Sequence, residues 1–205
     1  MIETKMSELA ELERLQTQIL YRIAKLELLI LPPSNNSPNK DLPTTTEARL
    51  SAVLVDSGVK DFSFKRVPSD YYDWSFEARR DILGAASIHH LCKSIVLVNT
   101  QAASNITDCS DRQNSKYYVV VVQYTARFMR LAPEEISHNL TGFEHNGVTC
   151  VGMKTDIPVI LDEAIVKLNP DFFWLGGGEI DLKLGIRTSE FINFAKPFIV
   201  NCSGS

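Results

Sequence analysis

With 205 residues, 44% of them hydrophobic and 22% charged, the chain has the make-up of one ordinary globular domain plus an appendage. A net charge of −4 argues against a protein that wraps nucleic acid along its length. No apolar run approaches the roughly 20 residues needed to cross a bilayer, so no membrane partner is expected.

The charge is uneven. Residues 60–130 carry ten Lys/Arg and seven Asp/Glu, whereas residues 131–205 carry five and ten. A mildly basic middle can grip a few phosphates at an RNA end without holding a duplex. The opening stretch, MIETKMSELAELERLQ, carries acids throughout and lacks an apolar segment, so it does not read as a secretion signal. The expected compartment is the cytosol. There the four widely spaced cysteines, Cys92, Cys109, Cys150 and Cys202, would be free thiols. The sequons at Asn105, Asn139 and Asn201 then carry no meaning.

In chain order, residues 1–31 come first as an amphipathic helix. Leu12, Leu15, Ile19, Leu26 and Leu29 recur at three- and four-residue steps when Arg22 is counted as the one polar position, and Ile23 widens the stripe. Ser7 can cap this helix, and Pro32-Pro33 ends it. So short a seam is unstable alone, so the helix is expected to dock on its own domain, a partner or another copy. Residues 32–46, PPSNNSPNKDLPTTT, form a polar linker. The globular domain is expected over 47–205. Its first helix would run from Glu47 to Ser57, capped by Thr46 and closed by Gly58.

Short β runs then alternate with helices. Strands are predicted at Phe62–Val67, Ser94–Asn99, Tyr117–Tyr124, Pro158–Leu161, Phe172–Leu175 and Ile180–Leu184. Helices are predicted at Phe76–Leu83, Pro133–Asn139 and Ser189–Lys196. The polar stretch 100–116 reads as a long, mobile loop. The fold class is α/β: a mixed, curved sheet with flanking helices.

Several positions could carry chemistry. Lys93 opens an apolar strand in HHLCKSIVLVN, either as a solvated lysine or as a rim cation aimed at a carbonyl or phosphate oxygen. Gly147-Val148-Thr149-Cys150 lies in a glycine-bearing turn that is either an ordinary loop or a presenter of backbone N–H groups. Gly176-Gly177-Gly178 follows FFWL and fits a tight bend or a backbone-lined cleft. His89-His90-x-Cys92 matches no closed zinc set, so no metal is expected, and no G-x-S-x-G elbow marks a serine hydrolase.

Taken together, C-K-S-I-V-L-V, Y-V-V-V-V, L-T-G-F-E-x-x-G-V-x-x-x-G, I-P-V-I-L-D and F-x-x-G-G-G-E-x-D-L-K-L-G resemble the YbaK/prolyl-tRNA-synthetase-associated aminoacyl-tRNA editing family. These five motifs span residues 91–186, and residues 1–45 lie outside the resemblance. It implies a YbaK-like domain in which Lys93 sits in the deacylation pocket. It also implies that the 147–150 backbone cradles the aminoacyl group, Gly176, Gly177 and Gly178 line the same cleft, and no metal or cofactor is used. Water would attack the ester, helped by a ribose hydroxyl of the terminal nucleotide. The chain departs from the family at Cys150, where proline is usual, and near Phe128-Met129, where an element normally found between strand and helix is lacking.

The resulting expectation is a trans-acting deacylase that removes a mischarged small amino acid from tRNA, with tRNA-Pro the first choice by family analogy. Its partners would be the tRNA acceptor end and a synthetase or second copy held through residues 6–30. The alternatives are a non-catalytic or weakly active binding module associated with tRNA or a synthetase, and a thiol enzyme using Cys150.

Overall fold

The computed structural model describes residues 45–126 and 131–202, together with Leu15, Gln16, Ile19 and Arg22, which are helical. The remainder of the expected N-terminal stripe, the 32–44 linker and the Phe128-Met129 junction lie outside the described residues. The chain divides into two compact units, residues 1–43 and 44–205. Both β-sheets belong to the second unit.

Helix α1 (Thr46–Asp56) begins one residue before the expected Glu47. Its cap is Thr45 rather than Thr46, because the Thr45 hydroxyl accepts from the Ala48 N–H at 3.2 Å. Its Leu50 and Leu54, one turn apart, are fully buried. Strand β1 (Phe62–Arg66) leads through a 3₁₀ turn at Tyr71–Asp73 to helix α2 (Phe76–Leu83). Ser75 caps α2, and Gly84 closes it in the left-handed conformation. Strands β2 (Cys92–Val98) and β3 (Tyr117–Gln123) follow, then helix α3 (Glu134–Thr141) and strand β4 (Val159–Asp162). The one-turn helix α4 (Glu163–Val166), strands β5 (Phe173–Gly176) and β6 (Leu182–Ile186), helix α5 (Thr188–Ala195) and strand β7 (Phe198–Val200) complete the unit.

The strands form two sheets rather than one. An antiparallel sheet has the order β1-β6-β5; a mixed sheet has the order β2-β3-β4-β7, with β2 antiparallel to β3 and the other pairs parallel. They meet where Leu91, just before β2, bridges Trp174 of β5. A large core joins Leu50 and Leu54 of α1 to Phe173, Leu184, Ile186 and Phe191. A smaller one gathers Val67, Tyr71, Leu83, Leu91 and Trp174.

The 100–116 segment, expected to be mobile, is tied down by its own polar groups. Lys116 N–H donates to the Asp108 carbonyl at 2.9 Å, and Asn99 Nδ2 to the Ser115 carbonyl at 3.0 Å. The Asp108 and Asp111 carboxylates each accept from the backbone two residues on, and Cys109 is buried beneath.

Candidate active site

Burial alternates along β2: Cys92, Ser94 and Val96 face the interior, while Lys93 and Ile95 are half-buried on the other face. The Lys93 ammonium donates to the Ala126 carbonyl at 2.9 Å. Burial pulls its pKa below the ordinary lysine value. Beyond the Leu91 bridge, the outer edge of β2 is next engaged where the Val96 carbonyl accepts from Ala132 N–H at 2.8 Å. The two-residue repeat of the strand puts the Ser94 peptide groups on that same outer edge.

Here lies a cleft of about 240 Å³, lined by Lys93, Ser94, Tyr72, Tyr124, Asn146, Val148 and Gly176, with the buried Phe143 in its wall and the exposed Glu134 and His145 at its mouth. At the mouth Glu134 approaches His145 Nδ1 at 3.3 Å, both side chains largely exposed.

The two glycine segments meet against this cleft. Gly178 N–H donates to the Gly147 carbonyl at 2.9 Å. A Cβ on Gly176 would stand 2.3 Å from the Val148 carbonyl oxygen, so no side chain fits between the segments. Gly178 also needs its freedom, at φ +97°.

Of the residues singled out from sequence, Lys93, Val148 and Gly176 line the cleft. Gly147, Gly177 and Gly178 lie in the backbone behind them. Thr149 and Cys150 turn inward and are buried, the Cys150 Sγ lying 3.9 Å from the Ser94 hydroxyl. The Thr149 hydroxyl has no protein partner in its buried position. Burial drives the Cys150 thiol up to about 12, which keeps it protonated and unsuited to nucleophilic attack. His90 is a core histidine, its ring nitrogens meeting the Ser87 hydroxyl at 2.8 Å and the Pro170 carbonyl at 3.2 Å. Among the described residues no cluster of His, Cys, Asp and Glu could hold a metal ion.

Sequence reasoning missed the aromatic wall. Arg79, buried, lies over the rings of Tyr71, Tyr72, Phe76 and Tyr124 at 5.3–5.5 Å and donates to the Trp74 and Tyr72 carbonyls. Beside it Lys183 of β6 is buried under Tyr71 and Tyr72. A signal existed: Lys183 is the one charged residue in the apolar run Leu182–Ile186.

The aminoacyl-tRNA editing domain profile matches residues 83–194, more than half the chain. The chain belongs to this family. Several solved structures share its fold. One, described as "a putative trans-editing enzyme for prolyl tRNA synthetase", superposes with a TM-score of 0.62 at 19% identity, covering 78% of this chain and 98% of that one. A hypothetical protein, APE2540, gives a TM-score of 0.58 at 16% identity over 76% of this chain and 99% of that one. A scaffold used for computational epitope grafting gives 0.61 at 16% identity, covering 78% and 98%. No curated protein matches significantly. The cleft lies largely inside the matched editing domain; Tyr72 precedes it. Among the described residues no helix is long and apolar enough to cross a membrane.

Proposed function

We propose that this chain is a trans-acting deacylase that hydrolyses the ester between a mischarged small amino acid and tRNA, with tRNA-Pro as the first candidate. The observation that carries the reading is that Lys93 lines one cleft together with the loop residues Asn146 and Val148 and with Gly176. A volume of about 240 Å³ falls below the roughly 300–1,000 Å³ typical of pockets for drug-sized ligands, which favours a small side chain.

Aminoacyl esters are already activated, so holding the carbonyl in reach of water can supply much of the acceleration. In the reaction, water adds to the ester carbonyl and the carbonyl oxygen becomes an oxyanion. The C–O bond to the ribose then breaks, and the released ribose oxygen takes a proton. Lys93 would stabilise the oxyanion or hold the terminal phosphate. The loop backbone would bound the aminoacyl group, and a nearby ribose hydroxyl would help place the water.

The non-catalytic binding module remains the second reading, favoured by one observation: the Lys93 ammonium is already engaged by the Ala126 carbonyl. A panel of mischarged tRNAs separates the two. A deacylase releases the small wrong amino acid from one or a few tRNAs at enzyme-dependent rates, whereas a binding module retains them intact. The cytosolic setting and any contact with a synthetase through residues 6–30 belong to this same proposal. Repeating the panel without residues 1–45 tests whether that segment matters to turnover.

A further inference from the structure

Lys183 occupies the middle strand of the antiparallel sheet, opposite Lys65 of β1 and Gly176 of β5. It is 2% exposed. Its ammonium donates to the Tyr72 hydroxyl at 2.7 Å and to the Ile180 carbonyl at 2.9 Å. It lies 4.5 Å from the centre of the Tyr72 ring and 5.0 Å from that of Tyr71. Burying an ammonium costs several kcal/mol unless strong partners compensate, and an apolar side chain would fill the same space more cheaply. The position therefore calls for a reason beyond packing.

That reason lies one bond further on. The Tyr72 hydroxyl, accepting from Lys183, donates to the Asn146 carbonyl at 2.7 Å. Tyr72 and Asn146 both line the cleft, whereas Lys183 stands behind its wall. Asn146 holds φ at +64°, a left-handed conformation that asparagine tolerates better than most other side chains, and the Tyr72 bond holds its carbonyl in that turn. The next carbonyl, that of Gly147, is held by Gly178. The loop is thus gripped at two successive carbonyls, one by the glycine turn and one by Tyr72. An ammonium behind the phenol polarises its O–H and strengthens the bond it donates.

We propose that Lys183 is a positioning residue for this cleft: through the Tyr72 hydroxyl it fixes the Asn146 carbonyl and so the Gly147–Val148 backbone against which the aminoacyl group rests. This rests on the deacylase reading for its functional half. The groups around the ammonium are Tyr71, Tyr72, Arg79, Tyr124 and Cys92, with Asp181 on its own strand's approach and Lys65 across the ladder. Burial lowers Lys183 to about 8, so the grip weakens as pH rises past that point.

The test compares wild type, Tyr72→Phe, Lys183→Met and the double variant by two readouts. The first is amide hydrogen exchange of ligand-free protein. Tyr72→Phe should speed exchange at Gly147 and Val148 about tenfold while leaving β3 unchanged. The second is steady-state deacylation of a mischarged tRNA from the panel. Here kcat should fall about tenfold with KM within twofold, the double variant should be no worse than either single, and the wild-type decline above pH 8 should be missing from Tyr72→Phe. Unchanged loop exchange in Tyr72→Phe, or single effects that multiply in the double, overturns the proposal. Should Lys183→Met not fold, Tyr72→Phe alone decides, since it removes one hydroxyl. Wild-type protein inactive on the whole panel would overturn the deacylase reading, and the exchange comparison would still decide whether the loop is held this way.

Discussion

Replacing Lys93 by alanine removes the cleft's ammonium and one half-buried bond, that to the Ala126 carbonyl. Deacylation should be abolished while stability falls by only about 1 kcal/mol, read by single-turnover assay and urea unfolding. Full activity in the variant would place the chemistry elsewhere. Lys183 makes a contrasting prediction about pH. Its value in the fold is about 8, against 10.5 ordinarily, so between these values the unfolded chain binds more protons than the folded one. Its contribution to stability therefore rises with pH across that window, and its penalty is fully present below 8. Cys92 and Cys150, raised by burial, pull the opposite way above about 9, where unfolded thiols begin to ionise. The informative quantity is the difference between wild type and Lys183→Met in urea unfolding at pH 7.5 and 9.0: wild type should gain relative to the variant as pH rises, and parallel curves would contradict the assignment. Lys93 could be singled out from its place at the head of an apolar strand. Tyr72 and Lys183 could not be joined on paper, because 111 residues separate them and only the fold brings their polar atoms to 2.7 Å.

Among the elements, the paired glycine segments make the sharpest prediction. Gly176→Ala would drive a methyl carbon into the Val148 carbonyl, and the three nearest atoms all belong to the Gly147–Val148 backbone, which cannot rotate aside as a side chain could. A loss of about 2 kcal/mol or more is expected, together with a collapse of deacylation, checked by thermal unfolding and by the assay. Cys150→Pro should be milder. Proline is the usual residue there in the family the sequence resembles and only presets φ of the turn that follows Val148, so the change should shift which amino acid is released rather than unfold the domain; failure to fold would show that the backbone N–H at 150 is needed. Most elements were readable from local pattern, and α2 fell at its predicted Phe76–Leu83 limits because Ser75 and Gly84 punctuate it. The division into two sheets was not readable. It depends on β1 choosing β6 as its neighbour, a pairing that no local period encodes. Strand β7 was missed for another reason: three exposed residues after Pro197 carry too short a pattern to register.

At the scale of the molecule, residues 44–205 form a compact unit of their own. Removing residues 1–31 should therefore leave a folded, active domain, while its mass in solution or its recovery with a synthetase changes if the amphipathic segment serves a partner. Light scattering and the deacylation panel on the truncated chain decide this, and aggregation of the truncated protein would make the segment part of the core instead.

The pairing of Phe62 with Ile186 reaches further than architecture. During synthesis β1 leaves the ribosome long before β6 exists, and at roughly 5–20 residues per second it waits several seconds for its neighbour. The cleft wall waits as well, since Tyr72 has no ammonium behind it until Lys183 has been added. A chain stopped anywhere short of β6 therefore lacks a finished cleft and also exposes the apolar residues that β6 would cover. The finished cleft is thus acquired late and at once, and a prematurely terminated product is apt to be a burden on the cell's folding machinery.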